Sequence, residues 1–159
     1  MADTGWSVRP MRIDDIPATM EMRALTRENP VTREEMERDY GITPEGVAAD
    51  MSRGLFGWVV EAGSGIVGFA MGDERTGEVV VVALLPDWEG RGIGRNLLHR
   101  VTTRLLAAGH ERLWLYANPD PDVRASGFYE RLGWRASGER HGEDVVLEWR
   151  RSRGRDHPA

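Results

Sequence analysis

Glu89-Gly90-Arg91-Gly92-Ile93-Gly94-Arg95 is the stretch on which the fold turns. Before it run residues 78–85, an apolar segment that suits a strand buried on both faces. After it, Ile93, Leu97, Val101 and Leu105 recur every fourth residue with Leu98 beside them, which predicts a helix over residues 92–108 that Gly109 can end. The glycines therefore turn a strand into a helix and let a ligand approach the backbone closely. A helix start offers free N–H groups and the positive end of the helix dipole, so such a turn favours phosphate, and Arg91 and Arg95 add charge. Other glycine loops fit poorly. A dinucleotide fingerprint needs glycine or alanine where Leu97 stands, and a Walker loop needs lysine, which the chain lacks.

Working outward, residues 6–10 read as a strand, and Asp14 can cap a helix over residues 15–23. Thr32 and Glu35 have capping-box spacing and open a helix to about Tyr40. Thr43-Pro44 starts another, to about Arg53. Residues 57–61 and 66–72 flank Ala62-Gly63-Ser64-Gly65 as a hairpin, and Thr76-Gly77 turns the chain into the apolar strand. Beyond the long helix, residues 112–117 read as a strand. Asp122 can cap a further helix with Ala125, Phe128 and Leu132 on one face, ended by Gly133. Residues 134–137 and 144–149 close the chain as a hairpin. Antiparallel strands that feed one βαβ-like crossover give a mixed α/β sandwich, not a doubly wound sheet.

The 159 residues suit one domain, expected over residues 1–149, with a basic and flexible tail over residues 150–159. Arg150, Arg151, Arg153 and Arg155 against Asp156 leave the last ten residues at +3 and the body at −8. An acidic body argues against a nucleic-acid surface and favours a cationic small partner. Cysteine is absent, which excludes disulfides, thiolate metal sites and a cysteine acyl-enzyme. His99, His110, His141 and His157 are scattered without ligand spacing, so no metal is expected. No run of about 18 apolar residues occurs and the N-terminus lacks the regions of a signal peptide, so the expectation is a cytoplasmic protein without a membrane span.

A second segment, Ala125-Ser126-Gly127-Phe128-Tyr129-Glu130-Arg131-Leu132-Gly133-Trp134, lies one strand downstream of the glycine turn. Together the two segments resemble the GNAT superfamily of N-acetyltransferases. Its first motif is Gln/Arg-x-x-Gly-x-Gly/Ala after a strand. Its second places an Ala, then Phe-Tyr, then Leu-Gly-Phe or similar on the next helix and strand. The match spans about residues 78–134. Glu89 stands where the family prefers Gln or Arg, and a carboxylate beside pyrophosphate is unfavourable, so Glu89 is expected to point to solvent. Asp122 stands where Asn is usual.

The resemblance implies a mostly antiparallel sheet flanked by helices, in which acetyl-CoA lies in a wedge between two splayed parallel strands, residues 78–85 and 112–117. It implies that pantetheine pairs near Leu84 and Leu85. The pyrophosphate would sit on the amides of Gly90, Arg91, Gly92, Ile93, Gly94 and Arg95, with Asn118 and Tyr129 also against the coenzyme. Glu78, fourteen before Gly92, resembles the catalytic Glu of histone-type members; Glu61 and water are the other candidate bases. Tyr129 aligns with the family tyrosine that protonates the leaving thiolate. The implied activity is direct transfer of an acetyl group to an amine, of a small molecule or a peptide, within a ternary complex. The other reading is an acyl-CoA-binding sensor or interaction module without turnover. The acceptor pocket would be built from Arg27-Glu28-Asn29-Pro30 and residues 138–144, and a homodimer is allowed.

Overall fold

The expected alternation of turns and apolar runs produces seven strands: Trp6–Pro10 (β1), Leu55–Ala62 (β2), Gly65–Asp73 (β3), Glu78–Leu84 (β4), Arg112–Ala117 (β5), Arg135–His141 (β6) and Asp144–Arg150 (β7). In the computed structural model, which describes residues 5–27, 30–63, 65–120 and 124–151, they form one sheet of order β1-β2-β3-β4-β5-β7-β6. Five helices flank it: Ile16–Met22 (α1), Arg33–Tyr40 (α2), Pro44–Met51 (α3), Ile93–Ala107 (α4) and Arg124–Arg131 (α5). Every neighbouring pair is antiparallel except β4 with β5, which α4 connects as a crossover. Among the described residues no helix is long and apolar enough to cross a membrane.

The two faces of the sheet carry separate cores. On one, α4 inserts Ile93, Leu97, Leu98, Val101 and Leu105 against Phe56, Val60, Val67, Val79, Leu113 and Leu115, and Trp134 from the far end is fully enclosed. On the other, Met22 packs with Met11, Val59, Phe69, Met71 and Ala83. This two-sided burial is what fixes the sheet's position between its helices.

Local signals were read with mixed success. The Thr32–Glu35 capping box forms in both directions, at 3.1 and 3.2 Å, and Thr43 caps α3 through the Gly46 N–H at 3.0 Å. Asp14, by contrast, caps nothing. A 3₁₀ turn, Ile13–Asp15, precedes α1, and Asp15 spends its carboxylate on the Arg12 N–H at 2.8 Å and on Arg9 at 2.7 Å. Arg9 holds the Asp15 carboxyl below the usual range, burial opposing. The last hairpin is longer than expected: β6 runs to His141 past a register break between Ala136 and Arg140, and the turn is reduced to Gly142 and Glu143. Arg150 belongs to β7 and the Arg151 N–H donates to the Glu111 carbonyl at 2.8 Å, so the expected tail begins inside the fold. Residues 152–159 and the proposed cap Asp122 lie outside the described residues.

Candidate active site

The residues of interest meet where β4 changes course. Gly72 pairs with Val79 and Met71 with Val81, so Val80 is left over as a bulge. The extra residue switches the side chains that follow: Val79 lies in the α4-side core, whereas Val81 packs on the opposite face. It also bends the strand. β4 and β5 share a single register pair, Glu78 with Trp114, and then part. Val80 is consequently 43% exposed, which corrects the expectation of a strand buried on both faces.

The parting of the strands opens a cavity of about 450 Å³. Residues 79–84 form one wall and residues 115–118 the other, Gly92, Ile93, Gly94 and Arg95 close one end, and Phe128 and Tyr129 of α5 lie along it. The Leu85 N–H donates to the Val67 carbonyl at 2.9 Å. An antiparallel ladder alternates, so the neighbouring pairs Leu84–Gly68 and Val82–Ala70 turn their peptide groups away from β3, towards the gap. Leu84 is therefore placed to pair with an extended ligand, and Val82, which the sequence reading missed, joins it. Leu85 is not so placed. Its N–H is held by Val67 and its carbonyl accepts from the Trp88 N–H at 3.0 Å.

At the closed end, Gly90 and Gly92 have φ of 78° and 80°, the left-handed region that glycine alone enters cheaply. Gly92 is the N-cap of α4 and no side chain caps that end, so the first-turn amides are left for another acceptor. A Cβ on Gly90 or Gly92 would meet nothing, so the backbone conformation rather than space demands glycine there. Gly94 has ordinary φ, and its Cβ would touch Phe128 at 3.8 Å. Arg95 lines the cavity. Arg91 does not: its guanidinium stacks 4.5 Å above the Trp88 ring and donates to the Asp87 carbonyl at 3.2 Å. Glu89 does not point to solvent. Its side chain is 18% exposed, lines the cavity and pairs with Arg27 at 3.0 Å. The pair sets a cation against a carboxylate that lies near the helix end.

Glu78 sits at the joined end of the two strands, one residue beyond the lining formed by Val79 and Val80. It is half-buried, and its carboxyl is raised above the usual range by that burial first and by Asp73 second. Its N–H donates to the Thr76 Oγ1 at 3.3 Å, and its carboxylate has no hydrogen bond or ion pair among the described residues. Glu61, the fallback base, is elsewhere: it lies on β2, bound to Arg9 at 2.9 Å, and lines no part of the cavity. Tyr129 is 8% exposed, with its ring edge-on to Phe128 and Trp134 at 5.2 and 5.8 Å. Its hydroxyl has no partner among the described residues, and burial pushes its pKa well up. Asn118 lines the cavity, with its Oδ1 accepting from the Asp120 N–H at 2.9 Å and its amide nitrogen without a partner among the described residues. Arg23 and Thr26, from the turn after α1, complete the wall, and no motif announced them.

The arrangement can pair an amide-bearing chain along β4 and seat an anion on the start of α4, with a carboxylate and a phenol at hand. Comparison with known proteins agrees. Residues 16–134 match the Acetyltransferase (GNAT) family. An uncharacterized N-acetyltransferase of Mycobacterium bovis is 37% identical over 92 residues, which cover 52% of this chain and 58% of that one, so the chain spans little more than half the relative's length. Among solved structures, the PaiA N-acetyltransferase of Thermoplasma acidophilum in complex with coenzyme A superposes with a TM-score of 0.74 at 19% identity, over 92% of this chain and 99% of that one. The putative acetyltransferase yncA of Salmonella typhimurium, with acetyl-CoA, gives 0.66 at 17% identity over 92% and 94%.

Proposed function

The chain belongs to the GNAT acetyltransferase family, and from that premise we propose that it binds acetyl-CoA in the cleft between β4 and β5 and transfers the acetyl group directly to an amine. One observation carries the reading. Peptide groups of Val82 and Leu84 face a gap that ends on the uncapped start of α4. An extended pantetheine with two amides fits such a wall, and a diphosphate fits such an end. The coenzyme structures of PaiA and yncA share this fold.

The thioester supplies the acyl donor; the chain's residues do the rest. An alkylamine of pKa about 10.4 is protonated at neutral pH and must lose a proton before it attacks. Glu78 takes that proton, its raised pKa making it a stronger base than an exposed carboxylate. The Leu84 N–H faces the cleft and steadies the negative charge that grows on the carbonyl oxygen. As the new N–C bond forms and the C–S bond breaks, Tyr129 gives its proton to the departing sulfur, and the second proton shed by the nitrogen restores the phenol. Burial keeps the phenol protonated until that moment. No cysteine is present to hold the acetyl group on the way.

The test is a panel of amines with acetyl-CoA, following thiol release. At least one amine should raise thiol release well above hydrolysis. Tight coenzyme binding with no amine accelerating release would favour the sensor reading instead.

A further inference from the structure

Arg23, Arg95 and Arg131 line the cavity without a carboxylate among the described residues, and of these three Arg23 is the one that is not exposed. It opens the turn Arg23–Leu25 at the end of α1 and is half-buried. Its one side-chain hydrogen bond goes to the Thr26 Oγ1 at 3.2 Å. No ion pair reaches it among the described residues, and the one titratable group that acts on it is the Tyr40 phenol. Burial lowers its pKa below the ordinary arginine value. Several other arginines do hold carboxylates. Arg9 holds Asp15 and Glu61, Arg75 holds Asp73, and Arg112 holds Glu148 and Glu139. Arg27, four residues on and lining the same cavity, holds Glu89. With 26 acidic residues against 21 basic ones, partners are not scarce. A cation drawn out of water without a counter-ion costs stability, so its persistence at a cavity wall points to an anion that arrives with a ligand.

The coenzyme's phosphates already have an address at the start of α4, with Arg95 beside it. Arg23 is placed otherwise. Met22, the residue before it, packs with Met71 and Ala83 on the face of the sheet opposite α4. Arg23 thus reaches the cavity from the face of the sheet opposite α4. A guanidinium matches a carboxylate through two parallel N–H···O bonds.

We propose that the acceptor is an amine that also bears a carboxylate, an amino acid or a close analogue, and that Arg23 binds this carboxylate while the amine faces the thioester. This rests on the acetyl-transfer reading, deepens it to a substrate class, and makes Arg23 a specificity residue.

The experiment measures thiol release from acetyl-CoA with L-α-amino acids, each paired with its C-terminal amide, for the wild type, Arg23→Gln and Arg23→Lys. The acids should exceed their amides in kcat/KM by about 10–100-fold, the worth of a hydrogen-bonded charge. Arg23→Gln should erase that preference through KM, Arg23→Lys should restore part of it, and the coenzyme Kd should stay unchanged in both. Equal use of acids and amides by the wild type overturns the proposal. So does a rise in coenzyme Kd in Arg23→Gln with the preference intact, since Arg23 would then serve the phosphates. If no amine is turned over, the acetyl-transfer reading fails, and binding of N-acetyl amino acids to the coenzyme-loaded protein decides the rest. Melting shifts in the wild type that vanish in Arg23→Gln keep the carboxylate site; no shift in either removes it. Arg23→Lys serves the same comparison where Arg23→Gln does not fold.

Discussion

β5 has two neighbours in the sheet and treats them unequally. With β7 it stays in step from Arg112 opposite Arg150 to Ala117 opposite Val145; with β4 it meets only at Glu78 and Trp114. The outer seam is an ordinary antiparallel ladder in unbroken register. At the inner seam Val82 and Leu84 turn peptide groups into a cavity. Buried backbone groups are rarely left unmatched in a folded protein, so a seam that keeps them open is a place prepared for a ligand's own amides. The difference shows how one extra residue in a strand, Val80, can open a cavity within a sheet. If the inner seam is a site and the outer one scaffold, changes along the inner seam should alter binding and turnover more than folding.

The largest effect belongs to Tyr129. Tyr129→Phe keeps the ring against Phe128 and Trp134 and removes only the hydroxyl. kcat on the best amine should fall by roughly 10²–10⁴-fold, with coenzyme Kd nearly unchanged. A near-wild-type kcat would make the residue part of the scaffold. A lost acetyl-CoA melting shift would make it a binding residue.

Glu78→Gln should lower kcat by about 10²-fold at neutral pH. It should also stabilise the protein there. Burial raises the Glu78 carboxyl in the folded chain, so its ionisation costs stability as pH rises through that raised value. Well below the ordinary glutamate value, at about pH 3, both states are protonated and the gain over wild type should vanish. Melting curves across pH check the sign, and a Gln variant less stable at neutral pH would show that the carboxylate holds structure instead.

Two glycines separate folding from binding. Gly92→Val forces a β-branched residue to φ near 80°, so it should cost about 1–3 kcal/mol and abolish the acetyl-CoA melting shift. Gly94→Leu meets no such backbone constraint. It should lose the shift with a smaller change in the apo melting temperature. A shift unchanged from wild type in both variants would mean that the start of α4 does not hold the coenzyme.

These residues also mark how far the sequence could be read. Capping boxes, turn glycines and the four-residue rhythm of α4 are local signals, and the elements they announce are present. The glycine turn located the closed end of the cavity for the same reason. The bulge was invisible because Val79, Val80, Val81 and Val82 are identical side chains, and a run of valines looks the same whether or not one is out of register. Arg23 was invisible because its meaning lies in a partner it lacks, and unpaired charge is a property of three-dimensional surroundings. The orientation of Glu89 was misjudged because Arg27, 62 residues away in sequence, could not be seen to reach it.

That ion pair gives the smallest effect. With Arg27 54% exposed, it should contribute only about 0–1 kcal/mol to stability. Glu89→Gln removes a carboxylate from beside the phosphate end, so coenzyme affinity should rise by about two- to fivefold in a direct titration. Weaker binding would mean that the pair positions the turn rather than masking a charge.

The most direct test of the inner seam is amide hydrogen exchange with and without acetyl-CoA. In the free protein, the N–H groups of Val82 and Leu84 should exchange faster than those of Ala83 and Leu85, which β3 holds. Acetyl-CoA should slow Val82, Leu84 and the first turn of α4 while β5–β7 stays as it was. Uniform protection along β4 before the ligand is added, or protection on binding that avoids Val82, Leu84 and α4, would contradict the account.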